Sequence, residues 1–276
     1  MSAAANKPAS TVSKNEGGTS NIFPLIVIPA TLVVAILFYK FFLGAPSNFI
    51  GNDPLNGPKD GNVWGIIYKG GYIVPILITQ LLLVIIFSIE RFLTIAKAKG
   101  AGSSDKFLRT IQQSLTNSDI NGAKNLCDKQ KGSLANIVRS GLDKYQEMAT
   151  DTHLVKDQKL LAIQKEVEES TTLEIPMLQR NLPIIATLAS IATLFGLLGT
   201  VLGMIRSFAA MSNEGAPDAT ELATGISEAL INTALGIGTS AIAIIMYNYF
   251  SNSIDELTYR IDEAGYSLQQ SFASKY

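Results

Sequence analysis

Charge is scarce in this chain. Only 16% of its residues are Asp, Glu, Lys or Arg, where soluble domains carry about 25%. The shortage is local: long stretches hold almost none, and the charges gather between them. That distribution excludes an ordinary soluble domain and fits a membrane protein. The net charge of −1 lacks the basic footprint of a nucleic-acid binder. A single cysteine, Cys127, excludes an intrachain disulfide framework and reads as a free thiol in a reducing compartment. A single histidine, His153, stands in a polar stretch with no cysteine beside it, and fits a surface side chain better than a metal ligand. The sequence has no nucleophile elbow, phosphate loop or metal-ligand cluster. It is not read as an enzyme, and no cofactor or metal is expected. Internal repeats are missing too, which argues against a self-sufficient secondary transporter built on inverted repeats.

What the chain does have is four long apolar runs, 22–43, 71–93, 182–208 and 222–250. Each matches the roughly 20 residues needed to span a bilayer. Lipid cannot satisfy backbone polar groups, so each run is expected to be helical. The first is too long for the apolar core of a signal peptide, and reads as an uncleaved span. Its prolines, Pro24 and Pro29, are expected in its first turns, where proline is tolerated.

Lysine and arginine set the orientation. Segment 94–181 carries thirteen, segment 44–70 carries two, Lys59 and Lys69, and loop 209–221 carries none. The long segment is therefore placed in the cytoplasm, with both short loops outside and both termini inside. Trp64, Tyr68 and Tyr72 fit an aromatic belt at the outer interface. Loop 44–70, rich in Gly, Pro and Asn, reads as turns, and the Ser- and Gly-rich tail 1–20 as disordered.

Within 94–181 the apolar spacing predicts short helices, broken near Asn117–Ser118 and Lys131–Gly132–Ser133. A further pattern through Leu160, Ile163 and Val167 predicts a long helix that enters the third span, with kinks at Pro176 and Pro183. Beyond the fourth span, Ile254, Leu257, Ile261 and Leu268 keep a helical stripe through tail 251–276. Such a stripe must be covered, either within the chain or by another subunit. The fold class expected is an all-α membrane protein of four transmembrane helices with long cytoplasmic helical extensions.

The third span carries Gly196, Gly199 and Gly203 around Thr200; the fourth carries Gly225, Glu228, Asn232, Thr233 and Gly236. Small residues let membrane helices approach closely. Glu228 is the only acid or base between Glu221 and Asp255. A charge at the bilayer centre costs about 2.5–3.5 kcal/mol, so it should face protein or water. Counting from the outer ends of their spans, Glu228, Thr200 and Thr233 lie about 9, 12 and 16 Å deep. Threonine hydroxyls can hold water in an apolar wall, although each can also bond its own helix. Apart from Glu228, no acid or lysine lies deep enough in these two spans to carry a proton, so an ion path built by this chain alone is incomplete.

The stretch Gly196-Leu-Leu-Gly-Thr-Val-Leu-Gly203 resembles one signature of the MotA/TolQ/ExbB proton channel family. Gly225-Ile-Ser-Glu-Ala-Leu-Ile-Asn-Thr-Ala-Leu-Gly236 resembles the other, in the same order and on successive spans. The resemblance covers about residues 175–255. It is nearer ExbB than TolQ, and nearer either than the flagellar stator protein MotA. It implies a bacterial inner-membrane location with periplasmic outer loops. It also implies a homo-oligomeric ring, typically a pentamer, around the transmembrane helices of an ExbD-like partner. An intramembrane Asp on that partner would supply the missing carrier, and a TonB-like protein would receive the work. By the same resemblance Thr200, Thr233 and Glu228 belong to the proton pathway, and Gly196, Gly199, Gly203, Gly225 and Gly236 to helix packing. Thr193 stands where the family often has proline, and with Asn232 is a further candidate for the pore lining. The first span, 22–43, is additional to the three-span plan of well-known ExbB and TolQ proteins.

Overall fold

The computed structural model describes residues 22–212 and 219–276. The expected tail 1–20 and residues 213–218 of the loop 209–221 lie outside the described residues. The described chain is helical almost throughout. Its helices are α1 (Ile22–Leu37), α2 (Val63–Tyr68), α3 (Val74–Lys99), α4 (Ser104–Thr116), α5 (Ile120–Gln130), α6 (Gly132–Thr150), α7 (Lys156–Gln179), α8 (Leu182–Ser212) and α9 (Ala219–Lys275). Four helical stretches, Ile22–Leu43, Gly71–Thr116, Lys156–Met211 and Glu221–Lys275, are long and apolar enough to cross a membrane.

Residues divide into two compact units. Among the described residues, one gathers 22–83 with 195–212 and 219–235; the other gathers 84–194 with 236–276.

In the first unit, α1 is followed by a π-helical turn, Phe38–Leu43, closed by Gly44 N–H donating to the Tyr39 carbonyl at 2.9 Å. Pro29 lies deeper in α1 than the sequence implied, at its eighth residue. It removes the N–H that would donate to Leu25, yet the helix continues. Only 11% of this span's apolar window is buried, against 50% for the second span. Segment 44–70 holds more than turns. The Asn48 amide donates to the carbonyls of Phe42 (2.9 Å) and Leu43 (3.0 Å), closing the end of the first span. Asn62 donates to Asn48 at 3.1 Å and caps α2 by accepting from Gly65 N–H at 3.0 Å. These local side-chain bonds are what Asn does best outside helices, and they turn the segment into an ordered cap.

The second unit is a helical bundle. Its breaks fall where expected, with Asp119 capping α5 through Gly122 N–H at 2.8 Å and Lys131 in the left-handed region between α5 and α6. Phe107, Ile111, Leu134, Leu142 and Ile163 are buried. The stripe on α9 is covered within the chain: Ile254, Leu257, Ile261, Leu268 and Phe272 are all at most 1% exposed. Cys127 is buried, and burial pushes its thiol up to about 11.

The helix expected through Pro176 and Pro183 does run through Pro176, but opens at Arg180–Asn181. Pro183 cannot donate to the Gln179 carbonyl, so one rung is lost there. Arg91, only 3% exposed, fills the gap. Its guanidinium donates to the Leu178 carbonyl at 2.9 Å and the Met177 carbonyl at 3.3 Å. Glu90 holds Arg91 from the other side and accepts from Asn181 at 3.1 Å.

Candidate ion-path site

The site is built where α8 and α9 cross in the first unit. Gly199 lets the two backbones meet: a Cβ there would stand 2.3 Å from the Asn232 Cβ. One turn on, a Cβ at Gly203 would lie 2.6 Å from the Gly225 carbonyl oxygen, and one at Gly225 would lie 2.4 Å from Ser207 Oγ. Gly196 and Gly236 are also buried.

Threonine and glutamate separate into two sets. Thr200 directly follows Gly199, and Thr233 directly follows Asn232. The two hydroxyls therefore sit at the level of the tightest contact, on neighbouring faces, and both residues are partly exposed. Thr193 lies seven residues before Thr200 on the same face of α8 and is partly exposed as well. The Thr200 hydroxyl donates to the Leu197 carbonyl at 2.6 Å, and that of Thr233 to the Ala229 carbonyl at 3.1 Å. Each hydroxyl thus spends its proton on its own helix and leaves its oxygen lone pairs outward.

Glu228 and Asn232, one turn apart, face inward, at 1% and 0% exposure. Glu228 Oε2 accepts from Arg206 Nη1 at 2.5 Å, an ion pair in which the acid is enclosed and the guanidinium half exposed. Arg206 also lies over the Tyr72 ring, 5.6 Å from its centroid. Glu228 Oε1 is buried without a hydrogen-bond partner and rests against Gly71. That glycine has φ +76°, and a Cβ there would be 2.2 Å from the oxygen. Asn232 donates from Nδ2 to the Gly70 carbonyl at 2.9 Å.

Asn232, expected as a further candidate for the pore lining, is enclosed beside Gly199, with its amide nitrogen tied to the Gly70 carbonyl. The structure also adds residues that the sequence reading left unused: Arg206, Gly70, Gly71 and Tyr72. Arg206 had a signal. Residues 199, 203 and 206 share one face of a helix, as do 225, 228 and 232, so the base was on the stripe that meets the acid. The Gly70–Gly71 bend had none, because its partner residues lie more than 150 positions away.

Residues 129–263 match the model of the MotA/TolQ/ExbB proton channel family. Among relatives, the biopolymer transport protein ExbB of Pseudomonas putida is 28% identical over 221 residues, covering 78% of this chain and 62% of that protein. The Tol-Pal system protein TolQ of Pseudomonas aeruginosa is 30% identical over 115 residues, 42% of this chain and 50% of that one. The biopolymer transport protein ExbB of Aquifex aeolicus is 39% identical over 79 residues, 29% of this chain and 53% of that one. The chain thus spans between 50% and 62% of the length of these relatives. Every α8 and α9 residue of the site lies inside the stretch that the family model matches, whereas the first span and the 44–70 cap lie outside it.

Proposed function

We propose that this chain is an ExbB-like subunit of an inner-membrane motor driven by the proton-motive force. It works as a homo-oligomeric ring, a pentamer, around an ExbD-like single-span partner that brings an intramembrane Asp, and it energises TonB-dependent transport across the outer membrane. The coupling ion is the proton, the termini and the helical bundle face the cytoplasm, and the two loops face the periplasm.

One observation carries the reading. The two pathway helices offer a partly exposed row of threonine hydroxyls but no free carrier. Their one buried acid, Glu228, is already paired with Arg206. A wall of hydroxyls can pass a proton only to a titratable group placed opposite, and that group must come from another chain. In this reading Thr200 and Thr233 face the partner's Asp, Thr193 extends their row, and Glu228 fixes the shape and field behind them. A TolQ-like role in envelope maintenance is the second reading, favoured by the TolQ relative named above.

Proton flux into liposomes tests the proposal, with the chain reconstituted alone and then with its single-span partner. Flux should require the partner. It should fall at least tenfold in Thr200→Ala and Thr233→Ala while assembly stays intact. Equal flux without the partner, or full flux in both variants, would remove this site from the proton path. Binding of a TonB-like protein to the reconstituted complex would separate the ExbB-like role from the TolQ-like one.

A further inference from the structure

The first span is additional to the three-span plan, and its window is almost unburied within the chain. Thr31, Ala35 and Leu43 are buried and Tyr39 is partly buried, a ridge with a spacing of four that ends in the π-helical turn. There the Tyr39 hydroxyl donates to the Tyr68 carbonyl at 3.0 Å, and the two rings stack with centroids 4.7 Å apart. Tyr68 is the last residue of α2, so its carbonyl is one of those a helix end leaves without an intrahelical donor. The Tyr68 ring also fills the space beside Gly44, where a Cβ would be 2.6 Å from it, and meets Phe49 edge-on at 5.3 Å.

The residues just after Tyr68 touch the site one after another. The Gly70 carbonyl accepts from Asn232, Gly71 lies under Glu228, and Tyr72 faces Arg206. The bend is thus gripped from two sides, by the first span through Tyr39 and by α8 and α9 through Arg206, Glu228 and Asn232.

We infer that Tyr39 is a positioning residue: the first span and its cap act as a clamp that holds the Gly70–Gly71 bend in place and so fixes the Arg206–Glu228 pair. The consequence for proton movement rests on the function proposed above; the clamp itself rests on contacts alone. Releasing Tyr39 frees the bend to move away from Glu228, and the exposed end of the pair, Arg206, then loses its fixed seat.

Two measurements on the full chain in liposomes with its single-span partner test the clamp. Hydrogen exchange of the amides in 68–73 reads the bend, and proton flux against pH reads the pair. Tyr39→Phe keeps the ring stack and removes only the donor. It should speed exchange in 68–73 by about fivefold, the equivalent of one neutral hydrogen bond. It should also displace the pH profile of flux in the same direction as Arg206→Lys. Phe41→Leu, on the same span but 75% exposed, should do neither. Unchanged exchange in Tyr39→Phe, or faster exchange with an undisplaced profile, would overturn the inference. If the native complex carries no flux at all, the proposed function fails instead; faster exchange would then still sustain the clamp, and unchanged exchange would end it.

Discussion

At the α8–α9 crossing the helices meet at glycine. In the bundle of α4–α7 with residues 251–275 of α9 the interior is filled by large side chains, Phe272, Tyr145, Leu268 and their neighbours. Phe272 is fully enclosed, stacked on Tyr276 at 4.9 Å and edge-on to Tyr145 at 5.0 Å. The crossing instead brings backbones together and seals Glu228 and Asn232 behind them. The difference follows from the solvent. In water, burying large apolar side chains drives association. Lipid offers no such drive, so close backbone approach and polar pairing must do the work. α9 serves both regions, and its residues change character accordingly, from Gly225, Glu228 and Asn232 to Ile261, Leu268 and Phe272.

Three sets of substitutions should break this comparison at different depths. The largest effect is expected in the bundle. Phe272→Ala removes a whole buried ring and should cost about 3–5 kcal/mol. Thermal unfolding should shift downward, with exchange rising in 251–275 and staying unchanged at 199–207. A rise at both places would mean that the two regions share one packing. The second effect is an asymmetry at the crossing. Arg206→Gln strands an enclosed carboxylate and should cost about 3 kcal/mol. Glu228→Gln leaves a half-exposed guanidinium that water can satisfy, and should cost about 1 kcal/mol. Melting curves of the two single variants and the double variant check this; equal losses would show that the pair is solvated from both ends. The smallest effect sharpens the glycine argument. Gly203→Ala forces a methyl against the Gly225 carbonyl and should cost about 1–3 kcal/mol. Gly238→Ala, with no heavy atom within 4 Å of the added Cβ, should cost nothing and gain about 0.5–1 kcal/mol of helix stability.

Much of the fold was legible in the sequence because it depends on local patterns. Hydropathy placed the four long apolar helices, and turn chemistry at Asn117–Ser118 and Lys131–Gly132 placed the bundle's breaks. The signature glycines pointed to the α8–α9 crossing, since small residues at a spacing of three or four define a face by themselves. Pairings between distant residues were not legible. Arg206 stands near a span's end, and only its neighbour in space gives it a role. Arg91 sat unremarked at the end of an apolar run, because the carbonyls it bonds, Met177 and Leu178, lie 86 and 87 positions away. Segment 44–70 read as turns because its order comes from Asn48 and Asn62 bonding across it, which composition does not record.

Gly199 and Gly71 carry different genetic consequences. An added methyl at Gly199 first meets the Asn232 side chain, 2.3 Å from its Cβ, so only glycine at position 232 removes that contact, and suppressors of Gly199→Ala that arise there should be Asn232→Gly. Gly71 carries two demands at once. Its Cβ site is occupied by the Glu228 carboxylate, and its φ of +76° costs an L-residue roughly 1–2 kcal/mol whatever lies nearby. Shrinking Glu228 lifts the first demand and leaves the second, so no single second-site change at 228 should return a Gly71 variant to full fitness.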